Sequence, residues 1–235
     1  MKRVFITGAA RRVGREIGLH LAKSGHEIIA HYNQSHSDAL SLQKQIKCKL
    51  FQADFAKITV EDLRSRLNSE IGRVDILINN ASSFQKSNWA DVTEKIWDVE
   101  QAVNLKIPFF LSQHFGRAMK GNGSGKIINM ADIAGYRGYL NYLPYSLAKS
   151  AMIAMTQALA RALAPEVQVN AIAPGTILFV EGMGQETKEK IVRKIPAGRT
   201  GTMDELLHSI DFLLSDVDFI TGQTIVLDGG RTLTW

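Results

Sequence analysis

Seven short, β-branched apolar runs alternate with longer stretches of helical periodicity, and this alternation narrows the possible folds more than any other feature. The runs are Arg3–Thr7, Glu27–His31, Lys49–Gln52, Ile76–Asn79, Lys126–Met130, Gln168–Ala171 and Thr224–Leu227. Several, such as Ile76-Leu77-Ile78, offer no polar residue to turn toward water, as expected of strands covered on both faces. Between them, helices are expected over Val13–Lys23, Ser37–Ile46, Val60–Ile71, Thr93–Met119, Pro144–Ala164, Glu186–Lys194 and Met203–Leu214. Strand-helix alternation of this kind implies an α/β fold: a Rossmann-type, doubly wound parallel sheet of about seven strands with helices on both faces. With 235 residues, no repeat and no linker, positions 1–235 read as a single domain.

In such a sheet the ligand binds beyond the carboxyl ends of the strands, so the residues just after each strand carry the functional information. After the first run comes Thr7-Gly8-Ala9-Ala10-Arg11-Arg12-Val13-Gly14. Gly8 suits a tight turn, Gly14 suits close backbone approach at a helix start, and the free N–H groups of that helix end attract an anion. A strict G-x-G-x-x-G is absent. Two arginines here call for a negative partner, and guanidinium groups fit phosphates bidentately. The second run ends in His31-Tyr32-Asn33-Gln34-Ser35, with no carboxylate to hold a ribose 2′-hydroxyl; the first acid is Asp38. Donors without a carboxylate, with Arg11 nearby, favour a 2′-phosphate, hence NADPH over NADH.

Tyr145 and Lys149 stand four residues apart, on one face of a helix that opens soon after the fifth run. A nearby ammonium is expected to lower the phenol's pKa toward working pH, which suits a proton donor. Asp132 lies thirteen residues before the tyrosine, just past the strand.

With these elements the chain resembles the short-chain dehydrogenase/reductase family over essentially its whole length. The matching positions are Thr7-Gly8…Gly14, Asp54, Asn79-Asn80-Ala81, Asn104, Tyr145…Lys149, Pro174-Gly175 and Ile220-Thr221-Gly222…Asp228-Gly229-Gly230. The resemblance implies Tyr145 as catalytic acid and Lys149 as the group that tunes it and holds the nicotinamide ribose. It implies Asn104 as organiser of a proton-relay water, Asp54 near the adenine, and Asn80-Ala81 along the adenosine ribose. The full cofactor set is then Gly8, Arg11, Arg12, Val13, Gly14, His31, Tyr32, Asn33, Gln34, Ser35, Ala53, Asp54, Phe55, Asn80, Ala81, Ser82, Met130, Tyr145, Lys149, Pro174 and Gly175. It also implies a homotetramer, built through the helices at Thr93–Met119 and Pro144–Ala164 and the C-terminal strand; whether the terminal Leu233-Thr234-Trp235 reaches a neighbour's site stays open.

Three departures from the family pattern resemble its pteridine reductase branch: Arg12 for a glycine, Asp132 for a serine, and Phe84 after Asn79-Asn80-Ala81-Ser82-Ser83. In that branch the arginine faces both cofactor phosphates and substrate, the aspartate assists protonation, and the phenylalanine sandwiches the pterin against the nicotinamide. The chemistry is consistent. A carboxylate would repel the charge developing on a reduced carbonyl oxygen, whereas a pterin offers amino and N–H groups for it to accept. The expected substrate set is Arg12, Ser82, Phe84, Asp132, Tyr142 and Tyr145, with Asp132, Tyr145, Lys149 and Asn104 catalytic and a lid over about 177–195. Tyr142 either borders the pterin or only packs.

Other classes are disfavoured. The net charge of +5 is dispersed, without the basic stripe and aromatic platforms of a nucleic-acid surface. No apolar stretch is long enough to span a membrane, and the six histidines form no metal-binding motif. The short, Arg-terminated apolar start does not read as a signal peptide. One cysteine, Cys48, fits a reducing, cytoplasmic setting; the sequons at Asn80 and Asn122 then read as chance. Two alternatives stay open: a ketone or oxoacyl reductase, and a non-catalytic NADP(H)-binding sensor.

Overall fold

A computed structural model describes residues 1–234; the expectation for Trp235 lies outside the described residues. Seven strands form one parallel sheet: β1 (Arg3–Ile6), β2 (Glu27–Tyr32), β3 (Lys49–Gln52), β4 (Ile76–Asn79), β5 (Gly125–Met130), β6 (Val167–Pro174) and β7 (Thr224–Leu227). Their order is β3-β2-β1-β4-β5-β6-β7, every neighbouring pair parallel. The chain works outward from β1 to β3, then returns to place β4 on the other side of β1. Strand order therefore reverses between β1 and β4, where a crevice must open.

Alternation along the strands sorts the core into two layers. Phe5, Ile29, Leu77, Ile127 and Val169 face one side of the sheet. There they meet Leu63 of α3 (Val60–Arg66), Leu111 and Phe115 of α5 (Ile107–Gly121), and Met152 and Leu159 of α7 (Leu143–Leu163). Val4, Ile6, Ile28, Ile78, Ile128 and Ile172 face the other. They are covered by Ile17 and Leu21 of α1 (Arg12–Lys23), Leu42 of α2 (His36–Ile46), and Leu206 and Ile210 of α9 (Met203–Leu214). A Thr202–Glu205 capping box starts α9.

Two details depart from the sequence reading. The helix expected over 93–119 is α4 (Glu94–Gln101), a wider π-type turn (Ala102–Lys106) and then α5. Pro108, in the first turn of α5, has no N–H to give the Asn104 carbonyl in α register; a second π-type turn, Leu67–Ile71, ends the helix expected over 60–71 and holds no proline. A short helix, α6 (Ala134–Arg137), fills the stretch between β5 and α7 that the sequence left unassigned, and α8 (Gln185–Val192) lies inside the expected lid.

Candidate active site

Two adjoining cavities open beyond the carboxyl ends of the strands. The larger, about 770 Å³, is lined by Gly8, Arg11, Arg12, Val13, Gly14, His31, Tyr32, Asn33, Gln34, Ser35, Asp54, Phe55, Asn80, Ala81 and Ser82. The smaller, about 410 Å³, is lined by Asp132, Tyr139, Tyr142, Gly175, Leu178 to Val180, Met183 and Arg231 among others. Arg12, Phe84, Tyr145 and Val180 border both.

The larger cavity is shaped by backbone. Gly8 has φ +65°, and a Cβ there would come within 2.9 Å of Ala81 Cα; at Gly14 a Cβ would meet the Gly8 carbonyl at 2.1 Å. The Thr7 hydroxyl accepts from the N–H groups of Asn80 and Ala81, both at 2.8 Å, while Asn80 Nδ2 donates to the carbonyls of Thr7 (2.9 Å) and Gly8 (3.2 Å). Asn80 thus ties the β1 and β4 loops together. His31 is buried, stacked on Phe55 at 3.8 Å, and its Nδ1 accepts from Gly8 N–H at 3.0 Å. Nε2 then carries the hydrogen, donated to the Ala53 carbonyl at 3.1 Å. Burial pushes the His31 pKa down to about 4, so the ring is neutral.

Charge enters through the arginines. Arg11 Nη2 pairs with Glu181 at 3.1 Å, and its Nε lies 3.8 Å from Asp38. Arg12 adopts φ +50°, the conformation a glycine takes freely, at a cost of about 1–2 kcal/mol for other residues. Its guanidinium reaches the expected lid, donating to the Phe179 carbonyl at 3.1 Å and lying 3.7 Å from Glu181. Arg15, the third member of the cluster, is spent on α2, donating to Asp38 O, Ser41 and Gln45.

The smaller cavity centres on Tyr145 Oη, which donates to Asp132 Oδ2 at 2.8 Å. Asp132 Oδ1 caps the Ala134 N–H at 2.7 Å. Lys149 is buried, donates to the Met130 carbonyl at 2.6 Å, and has its ammonium 5.6 Å from the Tyr145 ring centre. Burial lowers the Lys149 pKa to about 8 against the opposing pull of Asp132 and Glu100. Burial raises the Asp132 carboxyl above the usual range despite its hydrogen bonds. The expected lowering of the tyrosine by Lys149 is overturned: burial first, then the facing Asp132, hold the phenol well above its ordinary value. Phe84 stacks on Tyr142 with ring centres 4.0 Å apart and meets Tyr145 edge-on at 4.7 Å. One Phe84 face is therefore already covered by Tyr142, which neither the packing nor the substrate reading of Tyr142 anticipates alone.

Several expected residues stand behind the cavities rather than in them. Ala53, Met130 and Pro174 form no part of either lining, and Gly175 borders the smaller cavity instead of the larger. Asn104 is fully buried; its amide donates to Glu100 Oε2 (2.8 Å) and the Ser83 carbonyl (3.0 Å) and accepts from the Ser82 hydroxyl (2.8 Å). The loop after β4 thus engages the Asn104 side chain through both its amide nitrogen and its amide oxygen. The acid behind that loop was missed from sequence. Glu100, fully buried, also accepts from Ser83 Oγ and Gln85 N–H, both at 2.8 Å, so it clamps the two neighbours of Phe84. Burial raises its pKa. In sequence Glu100 is one more charge on an amphipathic helix, with no signal of burial. Tyr139 and Arg231 were missed as well, though Arg231 lies just past β7, where the rule of inspecting strand ends applies.

The family profile described as "Enoyl-(Acyl carrier protein) reductase" matches residues 8–232. Among curated proteins, the 3-oxoacyl-(acyl-carrier-protein) reductase FabG of Staphylococcus epidermidis is 34% identical over 239 residues, covering 97% of this chain and 98% of that one. The acetoacetyl-CoA reductase of Rhizobium meliloti is 31% identical, covering 98% and 99%. Among solved structures, FolM alternative dihydrofolate reductase 1 of Brucella canis, complexed with NADP, superposes with a TM-score of 0.89 at 33% identity, covering 100% of this chain and 95% of that one.

Proposed function

The chain belongs to the short-chain dehydrogenase/reductase family, and from that premise we propose that it is an NADPH-dependent reductase of pterin rings, converting a dihydropterin to a tetrahydropterin. Overall similarity does not choose the substrate, because the ketone-reducing relatives and the dihydrofolate-reducing structural neighbour are equally distant. The observation that carries the choice is the Asp132–Tyr145 hydrogen bond at the wall of the smaller cavity, beside the Phe84–Tyr142 stack.

The larger cavity fits NADPH. Gly8 and Gly14 let the turn after β1 close against Ala81 and Asn80, where a Cβ would collide, and so line the cavity with bare backbone; the end of β2 offers Asn33, Gln34 and Ser35 in place of a ribose-binding carboxylate, and Arg11 stands at the same rim. Held there, NADPH would supply the hydride, the two-electron reductant of the reaction. The protein's own part is to hold the ring and move a proton. Phe84 offers an aromatic surface to a flat heterocycle, and Asp132 accepts from its amino and N–H groups. As the ring carbon of a C=N bond gains the hydride, the adjacent nitrogen gains a proton from Tyr145 Oη. When Asp132 is protonated, the form its raised pKa favours, this 2.8 Å contact reverses: the carboxyl O–H donates to Tyr145 Oη, passes its proton to the phenol as the phenol gives up its own, and solvent restores it. The two groups titrate as one pair. Lys149 steadies the negative charge on the phenol during transfer.

The second reading, a ketone or oxoacyl reductase, is favoured by the sequence relatives. The test is NADPH oxidation with a panel of dihydropterins, dihydrofolate, β-ketoesters and oxoacyl thioesters. Turnover confined to the pterins and dihydrofolate is expected; turnover confined to the ketones overturns the proposal. The same reading makes the enzyme a homotetramer. The apolar groove of about 1140 Å³ lined by Phe109, Phe110, Met155 and Leu159 is the surface a second copy covers, and solution mass measurement checks it.

A further inference from the structure

Two guanidinium groups line the smaller cavity, and only one meets a carboxylate. Arg12 faces Glu181 at 3.7 Å. Arg231, just past the end of β7, has no Asp or Glu carboxylate within ion-pair distance among the described residues, and its one side-chain hydrogen bond is a long 3.4 Å contact from Nη1 to the Thr234 hydroxyl. The nearest acid in sequence is unavailable to it. Asp228 uses one oxygen on the Gly230 N–H (2.8 Å) and the other on the Thr232 N–H (2.6 Å).

Arg231 is nonetheless held in place. Its N–H donates to the Asp228 carbonyl at 3.2 Å, and its carbonyl accepts from Arg137 Nη1 at 2.7 Å. Tyr139 lines the same cavity, and the fields of both Asp132 and Arg231 reach its phenol. The proton-handling pair Asp132 and Tyr145 and the Arg231 guanidinium thus line one cavity. Its volume, about 410 Å³, exceeds what a bare bicyclic ring fills. A half-buried guanidinium without a counter-charge is costly to keep, and a carboxylate satisfies its planar fork with two parallel hydrogen bonds.

We infer that Arg231 receives a carboxylate on the substrate, so that the preferred substrate is a pterin whose side chain is anionic rather than a neutral polyol. The inference rests on the pterin reading above and adds the part of the substrate that the ring chemistry leaves open.

The test compares kcat/KM for 7,8-dihydrofolate, which carries carboxylates, with that for 7,8-dihydrobiopterin, which does not, at saturating NADPH. Wild type is expected to favour dihydrofolate. Arg231→Gln should lose about tenfold or more on dihydrofolate relative to its loss on dihydrobiopterin, the scale of one charge-assisted contact. Arg231→Lys should recover part of the difference. Parallel losses on the two substrates, or no loss on either, would overturn the inference while leaving the pterin reading intact. Failure of wild type to reduce either pterin would overturn both. Should Arg231→Gln not fold, wild type in rising NaCl gives the same answer. The KM for dihydrofolate should climb several-fold more than that for dihydrobiopterin, and parallel responses would overturn the inference.

Discussion

The two ends of the site are built from different materials. The end proposed for the cofactor is a backbone device: turns at Gly8 and Gly14, a hydroxyl at Thr7, and a neutral imidazole at His31, with its arginines half-exposed at the rim. The end proposed for catalysis is a set of buried ionisable side chains, Asp132, Tyr145, Lys149 and Glu100, each shifted by desolvation and by at least one other of the four. A cradle made of main chain tolerates changes at its exposed rim. A cluster of buried charges does not, because removing one member leaves its partners unpaired in low dielectric.

That contrast sets the order of expected effects. Tyr145→Phe, at the heart of the buried set, should lower turnover by about a hundredfold or more while leaving NADPH binding nearly intact, as single-turnover kinetics and cofactor titration would show. A fall in both together would mean that the two ends are not separable.

His31 probes the backbone end through pH. Its pKa is about 4 in the folded protein and 6.5 in the ordinary state, so the unfolded chain takes up the proton first as pH falls. Its contribution to stability is complete above about pH 6.5 and is lost between there and pH 4, by up to about 3 kcal/mol. Denaturant melts across this range should show the fall, and His31→Gln should flatten it.

Asp132→Ser tests the proton pair. Catalysis that needs a proton on Asp132 is present below its raised pKa and lost above it. The serine variant should reduce pterins at least about tenfold more slowly and should lose the wild-type decline toward higher pH, both read from pH–rate profiles. Undiminished pterin turnover would break the substrate reading.

Smaller effects belong to the rim. Arg11→Ala should weaken NADPH by roughly fivefold to tenfold with little change for NADH, measured by comparative KM values. Equal losses would show that Arg11 does not read a 2′-phosphate. Glu181→Gln should lower the KM for NADPH by no more than about twofold to fivefold, since it removes only exposed ion pairs that compete with the cofactor for Arg11 and Arg12.

The same contrast explains what the sequence could reveal. Backbone devices leave local traces: Gly8 and Gly14 at the end of one apolar run, and Tyr145 and Lys149 one helical turn apart, were readable because their partners lie nearby in the chain. The strands were readable because two-sided burial writes continuous apolar runs. The clamp by Glu100 was not, since it joins a helix to a loop fifteen residues earlier, and neither segment marks the other. The direction of the Tyr145 shift was misjudged for a related reason. Spacing gave the ammonium beside the phenol, but only packing shows that burial and a facing carboxylate outweigh it. The π-type turn at Ala102–Lys106 lies just before Pro108, but the like turn at Leu67–Ile71 has no proline near it, so no shared local signal marks these turns in the sequence.

Residue 12 carries a consequence for the whole molecule. Its left-handed backbone suits a residue without a side chain, yet the guanidinium is what grips the Phe179 carbonyl. Endurance and grasp therefore pull this position in opposite directions. A glycine would make a sturdier scaffold with the 177–195 segment more loosely held, and the arginine makes a less rugged one in which that segment is fastened to the turn between β1 and α1.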